Sequence, residues 1–121
     1  MAQALDVVNR FYDTTDRRRA DELPALVAED VTFAGPLMQA SGAGEYVAMN
    51  EQLLGFHAGT RMLRQFEDGS DVCSLYEMRM STPAGGSLTL VVADWITVRD
   101  GRIAEQRLYF DPREFARAFG M

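Results

Sequence analysis

Apolar positions change period partway along the chain. In residues 3–16, Leu5, Val8, Phe11 and Tyr12 fall at helical spacing, which predicts an amphipathic helix. Asp21 can cap a second, short helix running to about Val27, with Pro24 in its first turn. "VTFAG" (31–35) reads as a short strand stopped by Pro36, and "GEYVAMNEQLLGFH" (44–57) returns to helical spacing through Tyr46, Val47, Met49, Leu53 and Leu54. Beyond residue 60 four strand-like segments follow: "TRMLRQF" (60–66), "DVCSLYEMRM" (71–80), "SLTLVVADWITV" (87–98) and "RIAEQRLYF" (102–110). Asp68-Gly69, Pro83-Ala84-Gly85-Gly86 and Asp100-Gly101 separate them as turns. "DPREFARAFGM" predicts a closing helix, with Asp111 as N-cap and Pro112 at the first helical position. Helices followed by an antiparallel meander define an α+β fold in which helices cover one face of a curved sheet.

One residue disturbs the most apolar strand. Asp94 stands between Ala93 and Trp95, and an unpartnered carboxylate costs several kcal/mol or more to bury. The last hairpin indicates where it faces. A two-residue Asp100-Gly101 loop would place Asp94 opposite Arg107, and a three-residue loop from Arg99 would place it opposite Gln106. Leu88, Leu90, Val92, Ile96 and Val98 form the apolar face of one strand, and Ala104, Leu108 and Phe110 that of the next. Only the three-residue loop joins these faces, because opposite residues share a side of the sheet. Asp94 and Gln106 are therefore expected to face inward and Arg107 outward.

Composition narrows the function classes. The 121 residues make one domain, 1–121, and 47% hydrophobic with 25% charged residues is a globular balance. No apolar run reaches the length of a membrane span, and the first residues lack the basic lead of a signal peptide, so a cytoplasmic protein is expected, with no membrane partner. A net charge of −6 argues against nucleic acid as a partner. All 12 basic residues are arginine, so lysine Schiff-base chemistry is excluded. The run Arg17-Arg18-Arg19 reads as a solvated helix end. With one His and one Cys there is no metal-ligand spacing and no disulfide, and no phosphate-binding glycine motif is present; neither metal nor cofactor is expected. Cys73 reads as a small buried side chain.

Taken together, "EDVTFAGP", the strands and above all "GRIAEQRLYFDPREFARAF" resemble the SnoaL-like members of the nuclear transport factor 2-like superfamily, the last segment being similar to the C-terminal part of limonene epoxide hydrolases. The resemblance implies a cone of curved sheet closed by the N-terminal helices around an apolar pocket. It also implies positions for chemistry. Aligned without gaps through the "GRI" turn, the hydrolase Arg falls on Leu75, its two Asp residues on Glu77 and Leu108, and its Tyr and Asn on Phe33 and Gly35. Of the ketosteroid isomerase set, the base falls on Gly35, the Tyr on Phe11 (with Tyr12 adjacent) and the protonated carboxyl on Asp94.

The candidate catalytic set is Asp94, Glu77 and Arg79. Two readings of the third-last strand stand. The family reading turns Cys73, Leu75, Glu77 and Arg79 inward and leaves Tyr76, Met78 and Met80, with Val91 and Trp95, on an outer dimer face. The reading by hydrophobicity turns Tyr76, Met78 and Met80 inward and solvates Glu77 and Arg79. Candidate binding residues on the helices and first strand are Tyr12, Phe33, Leu54 and His57. On the later strands they are Leu75, Leu90, Val92, Gln106, Leu108 and Phe110. His57, the single histidine, is either a general base or a structural residue at a helix end. The function these residues suggest is cofactor-free acid–base chemistry on a hydrophobic, oxygenated polyketide, terpenoid or steroid-type molecule, by isomerisation, cyclisation or elimination. Epoxide opening with an altered catalytic set is one alternative. A non-catalytic ligand-binding or interaction protein is the other. A homodimer is expected.

Overall fold

The structure, a computed structural model, describes residues 3–121. Helix α1 (Ala4–Asp16) buries Val7, Val8, Phe11, Tyr12 and Thr15; of the predicted stripe Val8, Phe11 and Tyr12 are buried and Leu5 is half-buried. A short 3-10 helix spans Ala20–Ala25 with Pro24 inside it. Strands β1 (Val27–Ala34) and β2 (Gln39–Ser41) precede helix α2 (Ala43–Leu54). The meander is β3 (His57–Asp68), β4 (Asp71–Ser81), β5 (Ser87–Arg99) and β6 (Arg102–Tyr109), and α3 (Arg113–Ala118) closes the chain.

The fold is α+β. Its six strands form one curved, unclosed sheet in the order β2-β1-β6-β5-β4-β3. The expected meander accounts for β3 to β6, but β1 joins it alongside β6 as a parallel strand, so the sheet is mixed. The core lies between one sheet face and the helices; α1 crosses strands β3 to β6, and α2 packs on β1 and the 3-10 helix. The arginine run sits at the solvated end of α1. Arg17 pairs with Asp13 and Glu22, and Arg19 with Asp21. Arg18 donates to the carbonyls of Leu54 and Gly55, satisfying the C-terminal end of α2.

The β5–β6 hairpin departs from both expected registers. Its loop is the two-residue one: Val98 pairs with Ile103, and Asp100 and Gly101 both have positive φ (54° and 75°). A bulge then intervenes, with Ile103 and Ala104 both buried, and Thr97 pairs with Glu105. Asp94 consequently lies opposite Leu108, and Gln106 opposite Ile96. The extra residue restores the parity that a three-residue loop would have given. Asp94 and Gln106 both point inward, and Arg107 lies outside over the Trp95 ring, 3.6 Å from its centroid.

Candidate functional site

Asp94 is completely buried, and no arginine reaches it. Three neutral side chains receive it instead. The hydroxyls of Tyr12 and Tyr76 each donate to Oδ2 at 2.9 Å, and Gln106 Nε2 donates to both carboxylate oxygens at 3.1 and 3.0 Å. Gln106 Oε1 in turn accepts from the Tyr46 hydroxyl at 2.5 Å. Each member comes from a different element: Tyr12 from α1, Tyr46 from α2, Tyr76 from β4, Asp94 from β5 and Gln106 from β6. Burial pushes the Asp94 carboxyl from the ordinary 3.8 up to about 6, although the donated hydrogen bonds of Gln106, Tyr12 and Tyr76 oppose the rise. Burial, then the Asp94 charge, drive the phenols of Tyr12, Tyr46 and Tyr76 upward, so all three stay protonated.

These donors form one wall of an internal cavity of about 90 Å³. Tyr12, Tyr76 and Gln106 line it, while Asp94 sits behind them. Most of the remaining lining is apolar. Of the residues singled out from the sequence, Phe33, Leu54, His57, Leu90, Leu108 and Phe110 lie in the lining as well. Val92 is buried on the same side but does not line the cavity. Met38, Met49, Met78 and Met80 give the wall adaptable side chains. No Arg, Asp or Glu of the described residues lines the cavity.

The family reading of β4 is corrected by its burial pattern. Tyr76 and Met80 are buried and Met78 lines the cavity, so the alternate set Cys73, Leu75, Glu77 and Arg79 lies on the outer face. Glu77 forms an ion pair there with Arg61 at 3.0 Å, and Arg79 is exposed. Glu77 and Arg79 are therefore not part of the site, and Leu75 is not a binding residue. Cys73 is only half-buried, on that same outer face. The gapless alignment thus assigned the wrong face of β4 to the interior, the outcome of an odd-numbered slip in a strand. Tyr76 was missed as a site residue for this reason, although the apolar alternation of Tyr76, Met78 and Met80 carried the signal. Tyr46 was missed because a tyrosine at helical spacing reads as core.

His57 is not at a helix end. It opens β3, is buried, and lines the cavity. Its Nε2 lies 2.8 Å from Asp16 Oδ1 at the end of α1 and 3.5 Å from Thr60 Oγ1.

An α+β cone with polar groups gathered at an apolar internal cavity is the class of molecule that the fold and site define. The chain belongs to the SnoaL-like domain family, whose family model matches residues 8–106. No curated protein matches the sequence. Among solved structures it is similar to a nuclear transport factor 2-like protein of unknown function from Burkholderia pseudomallei, with 22% identity, a TM-score of 0.85 and full coverage of both chains (100% and 100%). An epoxide hydrolase of the limonene epoxide hydrolase-like type from M. tuberculosis is 18% identical with a TM-score of 0.80, over 96% of this chain and 88% of that one. A hypothetical protein with a ketosteroid isomerase-like fold from Catenulispora acidiphila, in complex with trimethylamine, is 12% identical with a TM-score of 0.79, over 96% and 93% of the two chains. These likenesses establish a shared fold.

Proposed function

We propose that the protein is a cofactor-free enzyme that moves a proton on a small hydrophobic, oxygen-bearing molecule held in the cavity. The observation that supports this reading is the convergence of three cavity-lining side chains, Tyr12, Tyr76 and Gln106, on one buried carboxyl poised near pH 6. A tyrosine whose hydrogen is given to Asp94 keeps lone pairs on its oxygen. It can accept a proton from a ligand while passing its own to the carboxylate, and the reverse transfer makes it a donor. Asp94 is the proton reservoir, and the tyrosines are the groups that meet the ligand. Isomerisation, cyclisation and elimination are the reactions that need only such transfers.

The cavity, at about 90 Å³, is smaller than the roughly 300–1,000 Å³ of drug-sized ligand sites. A compact ring compound suits it better than a steroid unless the methionines move. Hydrolysis of limonene oxide is expected to be absent, because the lining offers neither an arginine nor a carboxylate to hold the attacking water.

A non-catalytic binding protein is the second reading. It is favoured by the complete internal pairing of the network and by the position of Asp94 behind the wall. Exchange of the α-protons of small cyclic ketones, 2-tetralone among them, in deuterated water separates the two. The enzyme reading expects acceleration over buffer that falls about 100-fold or more in Asp94→Asn while the fold is retained. No acceleration across such ketones, enones and hydroxyquinones, with binding indifferent to Asp94→Asn, establishes the second reading.

A further inference from the structure

The cavity has a second polar group that the Asp94 network does not use. His57 lines it with a side chain only 5% exposed, and Asp16 holds its Nε2 at 2.8 Å. An ionised carboxylate only accepts hydrogen bonds. A neutral imidazole facing it must therefore carry its proton on Nε2, which leaves a lone pair on Nδ1. Among the described residues Nδ1 has no hydrogen-bond partner, yet it is not sealed off, since Arg107 Nε is the one buried side-chain nitrogen or oxygen left both sealed and unpaired.

The two polar groups sit at different places along the cavity. Asp16 is one helical turn beyond Tyr12 on α1, about 6 Å along the axis. His57 pairs with Met80, which is four residues beyond Tyr76 on β4, about 13 Å along the strand. On β4, Met78 lies between Tyr76 and Met80, and most of the lining is apolar.

We propose that His57, positioned by Asp16, is a second proton-accepting group of this cavity, and that the ligand is an apolar molecule with a hydroxyl at each end. One hydroxyl meets the oxygens of Tyr12 and Tyr76, and the other meets His57 Nδ1. The inference rests on the cavity reading above and adds to it the ligand's second functional group. A proton taken by His57 at one end and one given by the Asp94 network at the other leave the ligand's proton count unchanged, and exchange with solvent returns His57 to its neutral form and Asp94 to its protonated one.

The single histidine makes the test direct. Long-range proton–nitrogen NMR at pH 8 should show His57 protonated on Nε2 alone, and Asp16→Asn should disperse that tautomer while the melting curve is retained. The probes are 2,6-dihydroxynaphthalene, with a hydroxyl at each end, and 2-naphthol, with one. Wild type should bind the diol about tenfold more tightly than the mono-ol, one hydrogen bond's worth, with a shift at Nδ1 on diol binding. His57→Phe should abolish that preference, with the two probes bound about equally, and His57→Leu serves if the phenylalanine variant does not fold. An Nδ1-protonated or doubly protonated ring at pH 8 overturns the proposal, as does equal preference for the diol in wild type and the His57 variants. If wild type binds neither naphthol, the cavity reading fails and this inference falls with it.

Discussion

A carboxylic acid in an apolar strand is tolerated here because neutral donors, not a cation, surround it. That choice has a measurable consequence. Asp94 has a folded-state value of about 6 against the ordinary 3.8, so the folded chain holds this proton more tightly than the unfolded one. The stability it contributes is full below about pH 4. It declines as pH rises between the two values and is gone above about 6. A gap of roughly two pH units corresponds to about 3 kcal/mol. The difference in unfolding free energy between wild type and Asp94→Asn should therefore shift by about that amount, against wild type, from pH 3 to pH 7. Surface carboxyls with lowered values, such as Asp111 and Asp71, act in the opposite direction but cancel in the comparison. Urea unfolding of both proteins across this range checks it, and parallel pH profiles would mean that Asp94 titrates normally.

The donors around Asp94 can be tested singly. Tyr76→Phe removes one hydrogen bond to the charged form, so the Asp94 value should move above 6 in a carbon NMR titration. Gln106→Leu removes the donor to both Asp94 oxygens and strands the Tyr46 hydroxyl, and should cost about 2–4 kcal/mol in denaturant unfolding at pH 7.

At the scale of elements, the site depends on parity. β4 offered two alternations, one apolar through Tyr76, Met78 and Met80 and one through Leu75, Glu77 and Arg79, and the apolar one faces the core. The β5–β6 bulge does comparable work, because without the extra residue at Ile103–Ala104 Gln106 would turn outward and Arg107 inward. The turn that sets this register needs positive φ at two successive positions. Gly101→Ala places a Cβ at φ 75° and should lower stability by about 1 kcal/mol, read as a reduced denaturation midpoint at unchanged m-value.

At the scale of the whole molecule, the outer sheet face carries exposed apolar side chains. Of the expected dimer patch Tyr76, Met78 and Met80 are inside, while Val91 and Trp95 are outside and are joined there by Phe66 and Tyr109. Phe66, Val91, Trp95 and Tyr109 are all exposed, Val91 at 65%, and the registers of β3 to β6 set them on one face beside Leu75. An apolar surface crossing four strands is more than a small monomer usually leaves in water. We therefore expect a homodimer through this face. Light scattering at micromolar concentration should give twice the 13.5 kDa chain mass, and Val91→Arg should return it to one. A monomeric wild type would retire this face as an interface.

Local pattern alone was enough for α1, the four strands of the meander, the closing helix and the inward aim of Asp94 and Gln106. Each rests on side chains a few positions apart, where helical or alternating spacing acts directly. The three-residue strand β2 escaped because so short a polar segment has no periodicity to read, and the helix predicted over 44–57 ends at Leu54, with His57 already in β3. Only the tertiary structure decided which face of β4 is buried, that Tyr12, Tyr76 and Gln106 share Asp94, and that His57 meets Asp16. Those pairs are separated by up to 82 residues in the chain, and their contact depends on bulges and strand registers that shift a face by one residue. A hydrogen-bond network assembled from five elements has no signature within any one of them.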